Sequence, residues 1–256
     1  MPRHPERQLE RISQPVAAEL MKRSGIAVVV AGSIEQHGSH LPLGTDLFAA
    51  LSIGERVAER LDTIVVTLGS VGIAHYHGGW AGSLTLKPET MINVFVDICE
   101  GLKDAGANRI LVVNWHEGNS ATMRIAADRA QMVHGVQVVV GESHIITNSL
   151  HPDEMEFTHS GAMETSAVLA YDASLVHLES LAEPSDREAG DEAHELFRRR
   201  DVYPIMRDFH DVAPTGWYGH PETATVARSE EIAEEVADHI VRRAKEVWDA
   251  LGMVSH

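Results

Sequence analysis

The residues most able to do chemistry lie in Gly32-Ser33-Ile34-Glu35-Gln36-His37-Gly38-Ser39-His40-Leu41-Pro42-Leu43-Gly44-Thr45-Asp46. Glu35 and His37 are two apart, so an extended backbone projects both to one side. The Pro42-Leu43-Gly44 turn then returns Asp46 toward the start of a helix. A carboxylate, an imidazole and a second carboxylate converging at a strand end are what a zinc or manganese site requires. The plain alternative is a polar loop with unrelated charges.

Two further stretches carry ligand-type side chains. Asn114-Trp115-His116-Glu117-Gly118-Asn119 follows the apolar run Arg109-Ile110-Leu111-Val112-Val113. His159-Ser160-Gly161-Ala162-Met163-Glu164 reads as a helix start, with His159 and Glu164 about one turn apart and able to face one pocket.

The elements that must position these groups follow from periodicity. Ile26 to Val30, Thr63 to Leu68, Arg109 to Val113 and Val136 to Val140 are continuous apolar runs, as in strands covered on both faces. Between them, Leu47 to Leu61, the segment opened by Pro88-Glu89, and Ser120 to His134 show helical spacing. A short helix is expected over Pro15 to Lys22. Glu142 to Thr158 reads as a loop able to cover the site, and Leu181 to Arg200 as an exposed charged helix ending in Arg198-Arg199-Arg200. Ser229 is expected to cap a final helix. Strands alternating with helices predict an α/β fold, a three-layer α/β/α sandwich with a mainly parallel central sheet. Sites in such sheets lie outside the carboxyl ends of the strands.

Composition bounds the function. The 256 residues suit one catalytic domain spanning 1-256, with no linker to divide it. A formal charge of -17 argues against nucleic acid and anionic membranes as partners. The single cysteine, Cys99, rules out an intrachain disulfide framework and fits a cytoplasmic location. Among Phe95, Ile98 and Leu102 it reads as a small buried hydrophobe. Met1 to Gln14 is polar, unlike a secretory leader, and no apolar run is long enough to span a bilayer.

The first motif resembles the signature of the creatininase (creatinine amidohydrolase) family. Asn114-x-His116-x-Gly118-Asn119 resembles that family's second motif, and His159-Ser160-Gly161-x-x-Glu164-Thr165-Ser166 its third. Gly216-x-x-Gly219-x-Pro221-x-x-Ala224-Thr225 resembles a fourth. The resemblance implies a creatininase-like fold, a small-molecule substrate, a cytoplasmic homo-oligomer, possibly a hexamer, and two divalent metal ions per subunit, zinc and/or manganese. It also implies metal ligands at Glu35, His37, Asp46, His116 and Glu164. Asp46 would bridge an ion held with Glu35 and His116 and another held with His37 and Glu164. Creatininase has a glutamate ligand where this chain has Gly118, and Glu164 is the substitute. Glu117 would contact substrate.

Two divalent ions among three carboxylates and two neutral imidazoles leave a net positive centre. A water between them loses its proton near neutral pH and attacks a carbonyl carbon. His159 is the expected proton shuttle, or else orients Glu164. His40 reads as a supporting contact rather than a ligand. His75, Tyr76, His77 and Trp80 line the pocket or form a surface loop. Trp115 is a pocket wall or packs under the sheet, and Trp217 and Tyr218 close the pocket or meet another subunit. The expected activity is metal-dependent hydrolysis of a small cyclic amide or related C–N bond. The alternative is C–C cleavage opening a cyclic keto-polyol of the keto-inositol type. A formamide deformylase, a peptidase and a catalytically silent binding protein are lesser readings. Glu117 and the acids Asp153, Glu154 and Glu156 argue against creatinine itself and favour a polyhydroxylated or cationic ligand.

Overall fold

Four parallel strands form the centre of the chain, in the order β2-β1-β3-β4. The computed structural model describes residues 5–182, 201–202, 205 and 207–254. Its elements are α1 (Gln14–Ser24), β1 (Ile26–Ala31), α2 (Thr45–Arg60), β2 (Val65–Thr67), α3 (Pro88–Asp104) and β3 (Arg109–Asn114). They continue with α4 (Ser120–His134), β4 (Gln137–Glu142), α5 (Ser143–Leu150), α6 (Ala162–Asp172) and α7 (Val226–Val254).

Alternation along the buried strands divides the core into two layers. Val28 and Val30 of β1 pack with α2, α6 and α7, among Ala50, Ile53, Val57, Met163, Val236 and Ile240. Ala27, Val29 and Ala31 face the other way, onto α1, α3 and α4, among Leu20, Phe95, Cys99, Leu102, Met123 and Ala126. Successive strand side chains point to opposite faces, so one apolar run serves both layers. The result is the three-layer α/β/α sandwich with a parallel sheet that the sequence predicts.

The connections fix where a site can form. β1 leads through α2 to β2 on one side of it, and β2 leads through α3 to β3 on its other side. The strand order therefore reverses between β1 and β3, which run in register from Ile26↔Arg109 to Ala31↔Asn114. A crevice opens outside the carboxyl ends of strands at such a switch point. The loops after β1 and β3 both empty into it.

Local expectations change in four places. β2 is shorter than Thr63 to Leu68. Glu142 to Thr158 is not a plain loop, because β4 runs to Glu142 and α5 follows directly. The helix bearing Glu164 begins at Ala162, so His159 precedes it. The final helix begins at Val226, which puts Ser229 inside it and buried, while Thr225 Oγ1 accepts the Arg228 N–H at 3.4 Å. Propensity places an element better than its ends, and tertiary packing sets the boundary. Beyond residue 182, the charged helix expected to reach Arg200 lies outside the described residues. No described helix is long and apolar enough to cross a membrane.

Candidate metal centre

Glu35 and His37 stand on the loop after β1, and Asp46 in the first turn of α2. His116 lies two residues beyond β3, and Glu164 in the first turn of α6. All five side chains are buried. His37 Nε2 is 3.5 Å from Asp46 Oδ1 and 3.5 Å from Glu164 Oε2. On the other side, His116 Nδ1 is 3.1 Å from Asp46 Oδ2, and His116 Nε2 is 3.2 Å from Glu35 Oε2. The two oxygens of Asp46 thus face two different groups, Glu35-Asp46-His116 and His37-Asp46-Glu164, each tight enough to hold an ion. A third group, Glu35-His37-His159, shares members with both.

The spacing suits coordination better than hydrogen bonding. A tetrahedral zinc with bonds near 2.1 Å sets its donors roughly 3.4 Å apart. The 3.5 Å contacts of His37 match that edge and are long for a hydrogen bond. Glu35 Oε2, His37 Nε2 and Asp46 Oδ2 are buried with no hydrogen-bond partner. Each such orphan costs about 1–3 kcal/mol unless something pairs with it. Divalent cations would pair with all three, so the donor set fits the metals its chemistry suggests.

Supporting contacts select one nitrogen of each imidazole. His37 Nδ1 lies 3.1 Å from the Glu35 carbonyl and donates to it, which leaves Nε2 facing the carboxylates. His116 Nε2 donates to the Ile73 carbonyl at 2.9 Å, which leaves Nδ1 toward Asp46. This is the usual way a protein fixes a ligand's tautomer and ring plane. Glu164 Oε2 accepts from the Ser160 N–H at 2.5 Å, and His40 Nε2 donates to the Ser160 carbonyl at 2.9 Å. His40 therefore ties the β1 loop to the entry of α6.

Without cations, the cluster holds its protons far from ordinary values. Burial pushes the Glu35 carboxyl up to about 8, with His116 opposing and Asp46 assisting. Burial works against a charged His116, but Glu35 and Asp46 outweigh it and hold the imidazole at about 10. His37 is likewise raised, burial being outweighed by Glu164 and Asp46. Asp46 and Glu164 are depressed, burial being outweighed by the adjacent imidazoles.

His159 reaches the cluster without standing on the helix. Its Nε2 is 2.9 Å from the Gln36 carbonyl and 3.0 Å from the Gln36 side-chain nitrogen, and its Nδ1 is 3.9 Å from Glu164 Oε2. The ring lies 4.6 Å from His37 and 4.5 Å from Phe209. Burial, then His37, lowers its pKa to about 4. Glu117, by contrast, is exposed and stands outside the buried group. A Cβ on Gly118 would sit 2.2 Å from the Ile73 carbonyl oxygen and 2.5 Å from His116 Nε2. That slot is filled by the bond that orients His116, so no side chain can enter there as a ligand.

Other aromatic and acidic residues resolve one by one. Trp115, Trp217 and Tyr218 are buried within the chain, and Trp217 meets His40 edge-on at 5.7 Å. His75 is exposed and Tyr76 half-buried, while Trp80 stacks on His210 with centroids 4.0 Å apart. Asp153, Glu154 and Glu156 line a separate cavity of about 310 Å³ with Arg228, which includes none of the five clustered residues. Glu154 is paired to Arg228 at 2.8 and 3.0 Å. Those acids therefore do not build the acidic substrate pocket that the sequence suggests.

The sequence singles out neither His77 as a contact of the cluster nor the pair Glu142 and His144. His77 is buried, with Nε2 3.2 Å from Glu35 Oε1. Burial, then His159, keeps it neutral by lowering its pKa. Glu142 is opposite Asn114 in the sheet register, so His144 follows β4 at the height at which His116 follows β3. His144 is buried, its only polar approach among the described residues being to the Asn114 backbone, and Glu142 Oε1 is unpartnered. Glycines flanking His77 were the one available sign of a tightly packed loop.

A switch-point crevice with clustered carboxylates and imidazoles defines an α/β protein with a candidate metal centre, and comparison with known proteins names its family. The creatininase family (creatinine amidohydrolase) matches residues 10–244, and the chain belongs to this family of hydrolases. It is 25% identical over 246 residues to the 3-dehydro-scyllo-inosose hydrolase of Thermotoga maritima, covering 91% of this chain and 76% of that one. It is 26% identical over 227 residues to the mycofactocin precursor peptide peptidase of Mycobacterium ulcerans, covering 84% and 83%. With the creatinine amidohydrolase of Pseudomonas putida it shares 25% over 241 residues, covering 86% and 89%. A manganese form of creatininase superposes with a TM-score of 0.72 at 22% identity, covering 95% of this chain and 98% of that one. A mutant described as Zn-Zn type gives 0.73 at 22%, covering 93% and 97%. At that identity the structures establish the shared fold.

Proposed function

We propose that this hydrolase uses two divalent ions, zinc and/or manganese, to cleave a small cyclic amide or related C–N bond. The observation that carries the reading is Asp46, which presents one oxygen to each of two buried donor groups. Glu35 and His116 complete one ion site, and His37 and Glu164 the other. Bound there, the ions supply acidification of water and polarisation of a carbonyl. The protein supplies the rest. His159, whose Nδ1 faces Glu164 and whose ring lies against His37, moves the proton to the leaving group. Glu117, exposed beside His116, meets the substrate at the mouth of the crevice.

A second reading, C–C cleavage in a cyclic keto-polyol, is favoured by His144 and Glu142. A neutral imidazole both donates and accepts, and a carboxylate accepts. Hydroxyl groups of a polyol would pair with Glu142 Oε1 and with the His144 nitrogen turned away from Asn114. The inosose hydrolase relative supports this alternative. Reconstituted protein offered cyclic amides and keto-inositols separates the two. Release of ammonia, amine or formate supports C–N cleavage, whereas a nitrogen-free ring-opened keto acid supports the other; turnover of neither class would sink both. We further read the protein as a cytoplasmic homo-oligomer. Ile125, Met132 and Val133 lie exposed on α4, an apolar face suited to a second copy. Light scattering of the purified chain tests it.

A further inference from the structure

We infer that His77 is a positioning residue that selects which oxygen of Glu35 faces the metal, and that Gln36 sets the tautomer by which it does so. The inference rests on the proposed ion site of Glu35, Asp46 and His116. The Gln36 side chain is oriented by a backbone amide. Gly38 N–H donates to Gln36 Oε1 at 3.1 Å, which identifies the other atom of that amide as its nitrogen. The loop holding Gly216 presses on the same oxygen: a Cβ there, at φ +85°, would lie 2.1 Å from Gln36 Oε1. The amide is therefore held in one orientation. Its nitrogen can only donate, and lies 3.2 Å from His77 Nδ1 and 3.0 Å from His159 Nε2, one N–H for each ring. Neutral His77 then carries its proton on Nε2, 3.2 Å from Glu35 Oε1.

The consequence falls on Glu35. Its Oε1 is occupied by an N–H from one side, while Oε2 points toward His116 and has no hydrogen-bond partner. A carboxylate free to rotate could offer either oxygen, or both. Here one is taken, so Glu35 binds through Oε2 alone. The His77 ring is itself fixed, between Phe209 at 4.7 Å and His159 at 4.8 Å. Nothing in this arrangement requires His77 to touch substrate.

Two substitutions that differ by one methylene test it. A glutamine amide reproduces the Nε2 donor of histidine, and an asparagine amide reproduces Nδ1. His77→Gln should therefore keep the bond to Glu35, while His77→Asn should lose it. The readout is zinc affinity of chelator-stripped protein, measured by competition with a chromogenic chelator. Loss of such a supporting bond typically weakens metal binding by about 10- to 100-fold. His77→Asn should show that loss at one of the two ions, and His77→Gln should bind close to wild type. Should Asn and Gln bind both ions with wild-type affinity, or both lose affinity equally, the positioning role is refuted. Glu35→Gln is the parallel control. If it too leaves both affinities unchanged, the metal site itself has been misassigned.

Discussion

Loading the cluster with metal should release protons in a number that the structure sets. In the metal-free protein at pH 7, His116 is protonated, being held at about 10, and Glu35 is protonated, being pushed up to about 8. His37, raised above the ordinary imidazole range, is protonated too. Asp46 and Glu164 are ionised, so two imidazolium and two carboxylate charges cancel. Cations require bare ligands, so His37, His116 and Glu35 must each give up one proton, about three per loaded subunit. Raising the pH to 9 ionises Glu35 beforehand while His116, held at about 10, stays charged, and release from the side chains should drop by about one or more. Water acidified by the ions to a pKa near 7 would add about half a proton at pH 7 and about one at pH 9, which makes the net drop smaller by about half a proton. Calorimetric titration of zinc into stripped protein, in buffers of differing ionisation enthalpy, gives the count from the slope. Release below about one proton at pH 7, or no decline by pH 9, would refute the electrostatic account of the cluster.

Stripped protein should also lose stability as pH rises. His116 is raised from 6.5 to about 10, so its contribution is complete below 6.5 and disappears as pH passes about 10; Glu35 acts in the same sense from 4.5 to about 8. Thermal denaturation between pH 7 and 10 should reveal a loss on the order of a few kcal/mol that the metal-loaded protein does not share. Asp46→Ala should abolish turnover and deplete both ions, by more than the about 10- to 100-fold that supporting residues are worth; full occupancy by elemental analysis would contradict the bridge. Gly118→Ala drives a methyl into the Ile73 carbonyl and should cost about 1–3 kcal/mol in denaturant titration, with weaker metal binding. Glu117→Gln, altering an exposed residue outside the cluster, should retain both ions and raise KM for the substrate once one is known.

The fold was largely legible because its signals are local. Uninterrupted Val and Ile runs flanked by helical spacing leave few arrangements other than a covered parallel sheet. The grouping of Glu35, His37, Asp46, His116 and Glu164 was legible through motifs rather than geometry, since His116 and Glu164 are distant in sequence from the first loop. Helical spacing predicts His159 beside Glu164, but Ser160 takes a left-handed φ of 58° and the helix starts later, so it is the loop that delivers the ring. His77 was only one of several loop residues, because its importance lies in a contact with Glu35 that no periodicity encodes. α5 was missed because Ser143-His144-Ile145-Ile146-Thr147 carries more β-branched residues than helix formers. Packing onto α7 and the end of the sheet decides its conformation instead.

The all-parallel sheet also separates two duties mechanically. The ends of β1 and β3 carry Glu35, His37 and His116, whereas the end of β4 carries Glu142 and His144 on an element of its own. The edge strand β4 pairs only with β3 among the described strands. Side chains on α5 beyond Ser143 can therefore be exchanged to suit differently shaped ligands, while Glu142 and Ser143 must stay because they bond Asn114, which holds the His116 carbonyl. A directed library confined to residues 144–150 would exploit that division, searching substrate space on a chassis whose reactive centre is held by other elements.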